Sequence, residues 1–331
     1  MVSGKKKILF IINPKSGISN KKSLPRMIEK QINREKYDLS IEYTSHAGHA
    51  TELATSAVEA GVDVVVAVGG DGTINEVARC LVHTDTALGV VPCGSGNGFA
   101  RHVGIPLDIE KSIDFINKAE PLAVDYGMLN NTPFFCACGV GFDALVSNDF
   151  AHGTHRGLMS YVQKALVDWL KFEPEVYEVI ADSVRKRYKA FVIACGNASQ
   201  YGNNAYITPF ASMRDGLLSV SILEPFTAVE VPLVVTQLFS NTLDKNFRVT
   251  TINTHKLVIK RKKAGLVHYD GEPAVMEANL EIKIVPDGLK VLATPGWDGT
   301  CEPVPLHRQF FESITGTVQV PELPLFKFDS K

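Results

Sequence analysis

The sequence predicts an α/β domain followed by a β-rich domain, and two observations carry that prediction. First, strand and helix signals alternate through the opening third. Strand-like ILFII at Ile8–Ile12 precedes a helical stretch from about Leu24 to Asn33, and the short strand DLSIEYT precedes HATELATSAVEAG, whose Ala and Leu fall at helical spacing and stop at Gly61. VDVVVAV, helical TINEVARCLV and ALGVVPCGSGN complete the run. Repeated β-α-β implies a parallel sheet with helices on both faces, and the β-branched run VDVVVAV suits a strand buried on both sides. Second, the character changes after about Asp125. Short strand-like runs follow (PFFCACGV, YEVIA, KAFVIACG, GLLSVSIL, HKLVIK, LVHYDG, LEIKIV, LKVLAT), separated by turn signals such as PDG at 286–288. Two helical stretches interrupt them, RGLMSYVQKALVDWLKF and FTAVEVPLVVTQLFSNTL. This half reads as an antiparallel sandwich or barrel. The boundaries expected are 1–128, 129–300 and a tail at 301–331 that packs back on the first domain, with one helix candidate, PLHRQFFESI.

The chain has 331 residues, 45% hydrophobic and 21% charged, with a formal net charge of −2. That balance argues against a dedicated nucleic-acid binder, which carries a basic excess. No stretch approaches the roughly 18 apolar residues of a membrane span. The start, MVSGKKKILFIIN, imitates a signal peptide, but its apolar run is too short and Asn13-Pro14 breaks it, so it reads as a first strand. None of the six cysteines forms a CxxC pair, and no histidine spacing suggests zinc. Cys136 and Cys138 alternate as same-face residues of a strand do. All six read as reduced packing residues of a cytosolic protein. The close pairs His46/His49 and His152/His155 lack a third ligand and read as solvated loop residues.

Chemistry concentrates in glycine-rich loops that follow strands. GGDGT at 69–73 sits where α/β sheets bind ligands, beyond the carboxyl end of a strand. Gly69, Gly70 and Gly72 remove side chains so that backbone N–H groups can approach a phosphate, and the helix beginning near Thr73 points its positive end there. Asp71 would repel bare phosphate, and makes sense if it orients a metal-bound phosphate or a hydroxyl. PCGSGNGFAR at 92–101 and NPKSG at 13–17 are further loops of this kind, and neither is a Walker A motif. GVGFDA at 139–144 matches GxGxxA, but HGTHRG breaks the chain too soon for a dinucleotide-binding unit. YDGEP at 269–273 is either a hairpin turn or a carboxylate pair, Asp270 and Glu272, one of them a general base.

GGDGTINEV, PCGSGNGFAR, CGVGFDA, GNASQYGNN, SMRDGLLSV and DGEP occur in the order seen in the diacylglycerol kinase catalytic-domain family, which this chain resembles over nearly its whole length. Gly-Ser-Gly-Asn at 94–97 is similar to sphingosine kinases, while the Phe-Ala-Arg that follows is similar to bacterial members. The resemblance implies a phosphofructokinase-like α/β nucleotide-binding domain, a β-sandwich domain and an ATP cleft between them. By motif match, ATP contacts fall on Asn13, Pro14, Lys15, Ser16, Gly17, Thr44, Gly69, Gly70, Asp71, Gly72, Thr73, Ile74, Asn75 and Ser95. Asp270 and Glu272 fall on the catalytic acidic pair, with Asp71 orienting metal and phosphates. A structural Mg²⁺ is implied at the carbonyls of Ser212 and Leu217 and the side chain of Asp215.

The expectation is therefore an ATP- and Mg²⁺-dependent lipid kinase of phospholipid metabolism, cytoplasmic and peripherally associated with membranes. It would take diacylglycerol or a sphingoid base, bind no nucleic acid, and leave room for a homodimer. A soluble-substrate kinase of the NAD kinase type shares GGDGT and is the main alternative. A non-catalytic relative that keeps the fold is the other.

Overall fold

The structure is a computed structural model that describes residues 4–17, 23–152, 168–169 and 171–309. Four parallel strands open it: β1 (Lys6–Ile12), β2 (Tyr37–Tyr43), β3 (Val64–Gly69) and β4 (Ala87–Pro92), in the order β2-β1-β3-β4. Every residue of β3 and β4 is buried, because helices cover both faces. On one side α2 (His49–Glu59) and α3 (Asp71–Leu81) pack through Ala54, Ala57, Ile74, Val77 and Leu81. On the other, α1 (Leu24–Gln31) and α5 (Ile109–Lys118) pack through Ile28, Ile113 and Ile116. The short α4 (Gly98–Val103) follows the second glycine loop.

The second half supplies β5 (Glu120–Leu129), β6 (Thr132–Phe134), β7 (Ala137–Gly141), α6 (Phe142–His152), β8 (Glu175–Ala181), β9 (Val184–Ala190), β10 (Val192–Gly196) and β11 (Leu218–Leu223). After α7 (Val231–Phe239) come β12 (Val249–Thr254), β13 (Lys256–Lys260), β14 (Gly265–Tyr269), β15 (Glu272–Met276) and β16 (Asn279–Ala293). Six strands form one sheet, β12-β11-β10-β7-β14-β15. It faces β8, β9, β13 and β16 across a shared core of Phe134, Tyr177, Val179, Ile193, Val220, Leu257, Val267 and Ile282, which makes a β-sandwich.

LEIKIV and LKVLAT are not two strands. They form the single 15-residue β16, and the PDG between them is a bulge that shifts the register between Val285 and Leu289, with Asp287 at φ +51°. The partner strand β5 runs alongside both segments, so no hairpin is needed. The end of β16 pairs in parallel with β4 at Lys290 and Val291, so one ten-stranded sheet runs from the α/β half into the sandwich. Cys136 and Cys138 also part company. Cys136 lies between β6 and β7 and packs with the α/β core, whereas Cys138 lies in the sandwich core. Most of RGLMSYVQKALVDWLKF, His155 and the end of the tail lie outside the described residues. In the described part of the tail, Cys301 Sγ reaches Arg101 O while Gln309 Nε2 donates to Phe239 O, so it touches both halves.

His102 on α4 fastens the tail's root. Its Nδ1 accepts from Ser199 N at 3.0 Å and its Nε2 lies 3.0 Å from Gly299 O, a pattern that only the neutral Nε2–H tautomer satisfies. Burial lowers its pKa to about 4 from the ordinary 6.5. The unfolded chain therefore takes up a proton that the fold refuses. Stability from this site is complete above pH 6.5 and is lost as pH falls toward 4, by up to roughly 3 kcal/mol. Urea midpoints across pH 4–7 should show that loss, and His102→Gln should be less stable at neutral pH but flatter over the window.

Candidate functional site

The loops after β1, β3 and β4 meet at the carboxyl edge of the parallel sheet. Asn13 N donates to Val68 O, Cys93 N to Gly69 O and Thr44 N to Ile12 O, which binds the loop roots side by side. Asn13 Nδ2 donates to Thr73 Oγ1 at 3.0 Å, while Asn13 Oδ1 accepts from Lys15 N at 3.0 Å and folds NPKSG over as a turn. Pro14, Lys15 and Ser95 are exposed, Ser16 and Thr44 half-buried. Thr73 is buried, and Ile74 is 1% exposed inside the α/β core, so its side chain belongs to packing and only its backbone faces the loop.

The glycines answer to each other before they answer to a ligand. A Cβ on Gly94 would stand 2.6 Å from Gly70 Cα, and one on Gly70 would stand 3.2 Å from Gly94 Cα. The two loops thus cross backbone on backbone. A Cβ on Gly70 points at this crossing rather than into the open space expected for a phosphate.

Asp71 opens α3. Its Oδ2 accepts from Asn97 N at 2.8 Å, at the start of α4, while its Oδ1 is buried with no hydrogen-bond partner among the described residues. Burial raises its pKa, the N–H groups of Asn97, Phe99 and Gly98 oppose the rise, and the charge of Asp270 adds to it. One oxygen fixes the loop and the other remains an open acceptor.

Asp270 and Gly271 form the two-residue turn between β14 and β15, at φ +48° and +84°, with Tyr269 paired to Glu272. The Asp270 carboxylate is fully engaged. Its Oδ2 accepts from Asn75 Nδ2 at 2.6 Å and Phe135 N at 2.8 Å, and its Oδ1 from Cys136 N at 2.7 Å and Ala137 N at 3.1 Å. Desolvation raises its pKa, and these four donors hold it down. Glu272 is exposed, with Oε1 3.7 Å from where a Gly72 Cβ would stand, and no hydrogen bond reaches its carboxylate among the described residues. The acidic pair thus divides into a saturated carboxylate and a free one, the free one facing GGDGT.

One group escaped the sequence reading. Asp143, noticed only within a dinucleotide-like pattern, accepts from Tyr201 O–H at 2.8 Å and lies 3.0 Å from His268 Nε2. His268 sits two residues before Asp270, so the β14–β15 hairpin is tied to the loop bearing Tyr201. That loop meets the second glycine loop, where Asn203 N donates to Gly96 O and Arg101 Nη1 donates to Asn204 Oδ1. LVHYDG read as a strand, and His268's partner Asp143 lies 125 residues away in sequence. Asn97, in the second glycine loop, spends its amide on the loop itself. Its Oδ1 accepts from Gly94 N and its Nδ2 donates to Gly94 O, which closes the second loop on itself.

The loop at 212–217 is hydrogen-bonded to β5 at Asp125, whose N donates to Met213 O. Asp125 accepts from Gly216 N at 2.7 Å and from Asp287 N at 2.9 Å, and its pKa is raised by burial and by the charges of Asp287 and Asp215. Asp215 Oδ1 accepts from Leu217 N at 2.9 Å. Among the described residues no three His, Cys, Asp or Glu side chains converge as metal ligands. A cation here would rest on Asp215 and on the carbonyls of Ser212 and Leu217, to which no hydrogen bond runs among the described residues.

Comparison with known proteins places this arrangement. Residues 7–129 match the diacylglycerol kinase catalytic domain, and residues 136–293 the YegS C-terminal NAD kinase beta sandwich-like domain. A probable lipid kinase YegS-like from Chromohalobacter salexigens is 27% identical over 295 residues, 87% of this chain and 93% of the relative. A probable lipid kinase YegS from Escherichia coli O9:H4 is 29% identical over 272 residues, 80% of this chain and 89% of the relative. A diacylglycerol kinase structure from Bacillus anthracis superposes with a TM-score of 0.70 at 18% identity, covering 88% of this chain and 98% of that one. An NAD kinase from Archaeoglobus fulgidus in complex with ATP superposes at 0.50 with 13% identity, covering 87% and 94%.

The crossing glycines generate a stability prediction. Gly94→Ala should cost roughly 1–3 kcal/mol by overpacking against Gly70, while Gly104→Ala, with nothing within 4 Å of its Cβ, should lose only what its φ of +78° demands. Equal denaturation midpoints for Gly94→Ala and the parent would show that the loops do not cross this tightly.

Proposed function

This chain belongs to the diacylglycerol kinase catalytic-domain family, and we propose that it transfers the γ-phosphoryl group of ATP to the hydroxyl of a lipid, diacylglycerol or a sphingoid base. The observation that carries the reading is the convergence of three strand-end loops, an open buried acceptor on Asp71 and a free carboxylate on Glu272 at one edge. The backbone amides of the loops at 69–73 and 94–97 that the loops do not themselves use, and the positive end of α3, would receive the phosphates. Asn13 and Thr73 brace the first loop against the third.

Oxygen donors suit Mg²⁺, and the unpartnered, desolvated Oδ1 of Asp71 fits one as a ligand. When bound, that ion would neutralise phosphate charge, most of what phosphoryl transfer asks of a protein besides positioning. The loop at 212–217 offers the donors of a second, structural ion.

Of the acidic pair, Glu272 is the better general base. A carboxylate already accepting four N–H donors has no lone pair facing a new hydroxyl, so Asp270 acts by fixing the turn. Glu272 would take the acceptor hydroxyl's proton as its oxygen bonds to the γ-phosphorus and the bond to the β-phosphate oxygen breaks.

The two variants separate these roles. Glu272→Gln should lower kcat by roughly 10²–10⁴ with an unchanged melting temperature. Asp270→Asn should itself lose about 2–4 kcal/mol of stability, because an amide cannot accept four hydrogen bonds. Normal turnover in Glu272→Gln would return the base to Asp270 or Asp71. Labelled ATP offered with diacylglycerol, sphingosine, ceramide and monoacylglycerol in mixed micelles, and separately with NAD, tests the function. A labelled lipid is expected, and efficient NAD phosphorylation with no lipid product would overturn the assignment.

A further inference from the structure

One face of the sandwich carries charge that the chain as a whole does not. In β8, β9, β13 and the first half of β16, side chains alternate strictly. Tyr177, Val179, Tyr188, Ala190, Leu257, Ile259, Leu280 and Ile282 point into the sandwich core. The outward positions align in rows across the strands. One row reads Arg187, Glu178, Lys260, Asn279, and the next reads Arg185, Ile180, Val258, Glu281. Lys189 lies beside Val176 on one flank, and Lys256 beside Lys283 on the other. Six cationic side chains thus share this face with two carboxylates, in a chain whose formal net charge is −2. Glu178 is shared among Arg185, Arg187 and Lys260 at 3.7–3.9 Å, one carboxylate against three cations, and Lys256 pairs with Glu281 at 2.8 Å. Exposed Lys262 and Lys263 extend the charge into the connection that leads to β14 and its turn at Asp270.

We propose that this face docks on an anionic lipid bilayer. The proposal rests on the lipid kinase reading for its purpose and on charge complementarity for its chemistry. A twisted but continuous sheet face with dispersed cations and interleaved Val176, Ile180 and Val258 matches a surface whose anionic headgroups are spread over an apolar interior. Nucleic acid is a poorer match. Tyr177 and Tyr188 point into the core, so among the described residues these strands offer no stacking platform for single strands. A second copy of the same face would meet it with like charge.

Co-sedimentation with vesicles tests this without any acceptor lipid. The full chain should bind phosphatidylcholine–phosphatidylglycerol vesicles and not phosphatidylcholine alone, and added salt should weaken the binding. The edge-strand variant Arg185→Gln/Arg187→Gln/Lys189→Gln should partition roughly 100-fold more weakly. Lys256→Gln/Lys283→Gln, on interior strands, should bind roughly 30-fold more weakly and guards against a fold defect in the first variant. Lys30→Gln/Lys111→Gln/Lys118→Gln, on α1 and α5, should bind as the parent does. Turnover of a water-soluble short-chain diacylglycerol should be the same in all of them. Parent-like vesicle binding by both face variants would overturn the proposal, as would equal weakening by the α1/α5 variant or displacement of the vesicles by single-stranded DNA at equal affinity. Vesicle binding that follows the face charges while no lipid is phosphorylated would keep the docking face and discard the kinase reading.

Discussion

The two halves of the chain are fastened at the Asp270 carboxylate. It takes one hydrogen bond from the amide of Asn75 on α3 and three from consecutive backbone N–H groups at 135–137, while its own backbone sits at the left-handed turn position. Removing a carboxylate from water is costly, and only a full set of donors offsets the cost. Asp270 has that set because three elements arrive together: the first helix after GGDGT, the β6–β7 link and the β14–β15 hairpin. If any one of them moved, a buried charge would be left unmatched. The geometry of Glu272, two residues on, inherits this rigidity, as does the placement of its carboxylate against Gly72.

The same economy shapes Asp71. Its carboxylate sits at the starts of both α3 and α4, where backbone N–H groups and the helix ends favour negative charge. It is nevertheless half-satisfied. Of two carboxylates, the charge of Asp270 helping to raise the pKa of Asp71, one is saturated and one is not, and they differ in what they can do next. The saturated one supports structure, and the one with an open lone pair can accept a cation or a proton.

Much of the fold was legible because its signals are local. The β-branched run of β3 announces a strand buried on both sides, and the glycine loops mark the carboxyl edge of the parallel sheet. What misled was also local. PDG reads as a hairpin, and only the presence of β5 alongside both flanking segments turns it into a bulge. Cys136 and Cys138 alternate as strand residues do, yet Asp270 draws the amide of Cys136 out of the ladder, and the two thiols fall in different cores. The candidate site was readable as a set of motifs but not as a set of roles. Nothing in DGEP tells which acid is consumed by hydrogen bonds, since the donors lie some 135 and 195 residues away.

Tyr201, Asp143 and His268 show the same limit from another side. Each lies in a motif that matched a family pattern or a strand, and none signals by itself a buried chain of hydrogen bonds. Their placement explains why GNASQYGNN and GVGFDA should travel with the glycine loops at all. Gly98 packs against Tyr201 O, where a Cβ would come within 2.9 Å, and Gly96 packs against Gly202. The Tyr201 hydroxyl holds Asp143, and His268 stands behind the turn that sets Glu272. The second glycine loop and the acceptor hairpin are therefore registered through the sandwich as well as through Asp270. A kinase that must align a phosphate held by one domain with a hydroxyl presented by the other needs such a second tie, because a single pivot at Asp270 would leave the hairpin free to rotate about it.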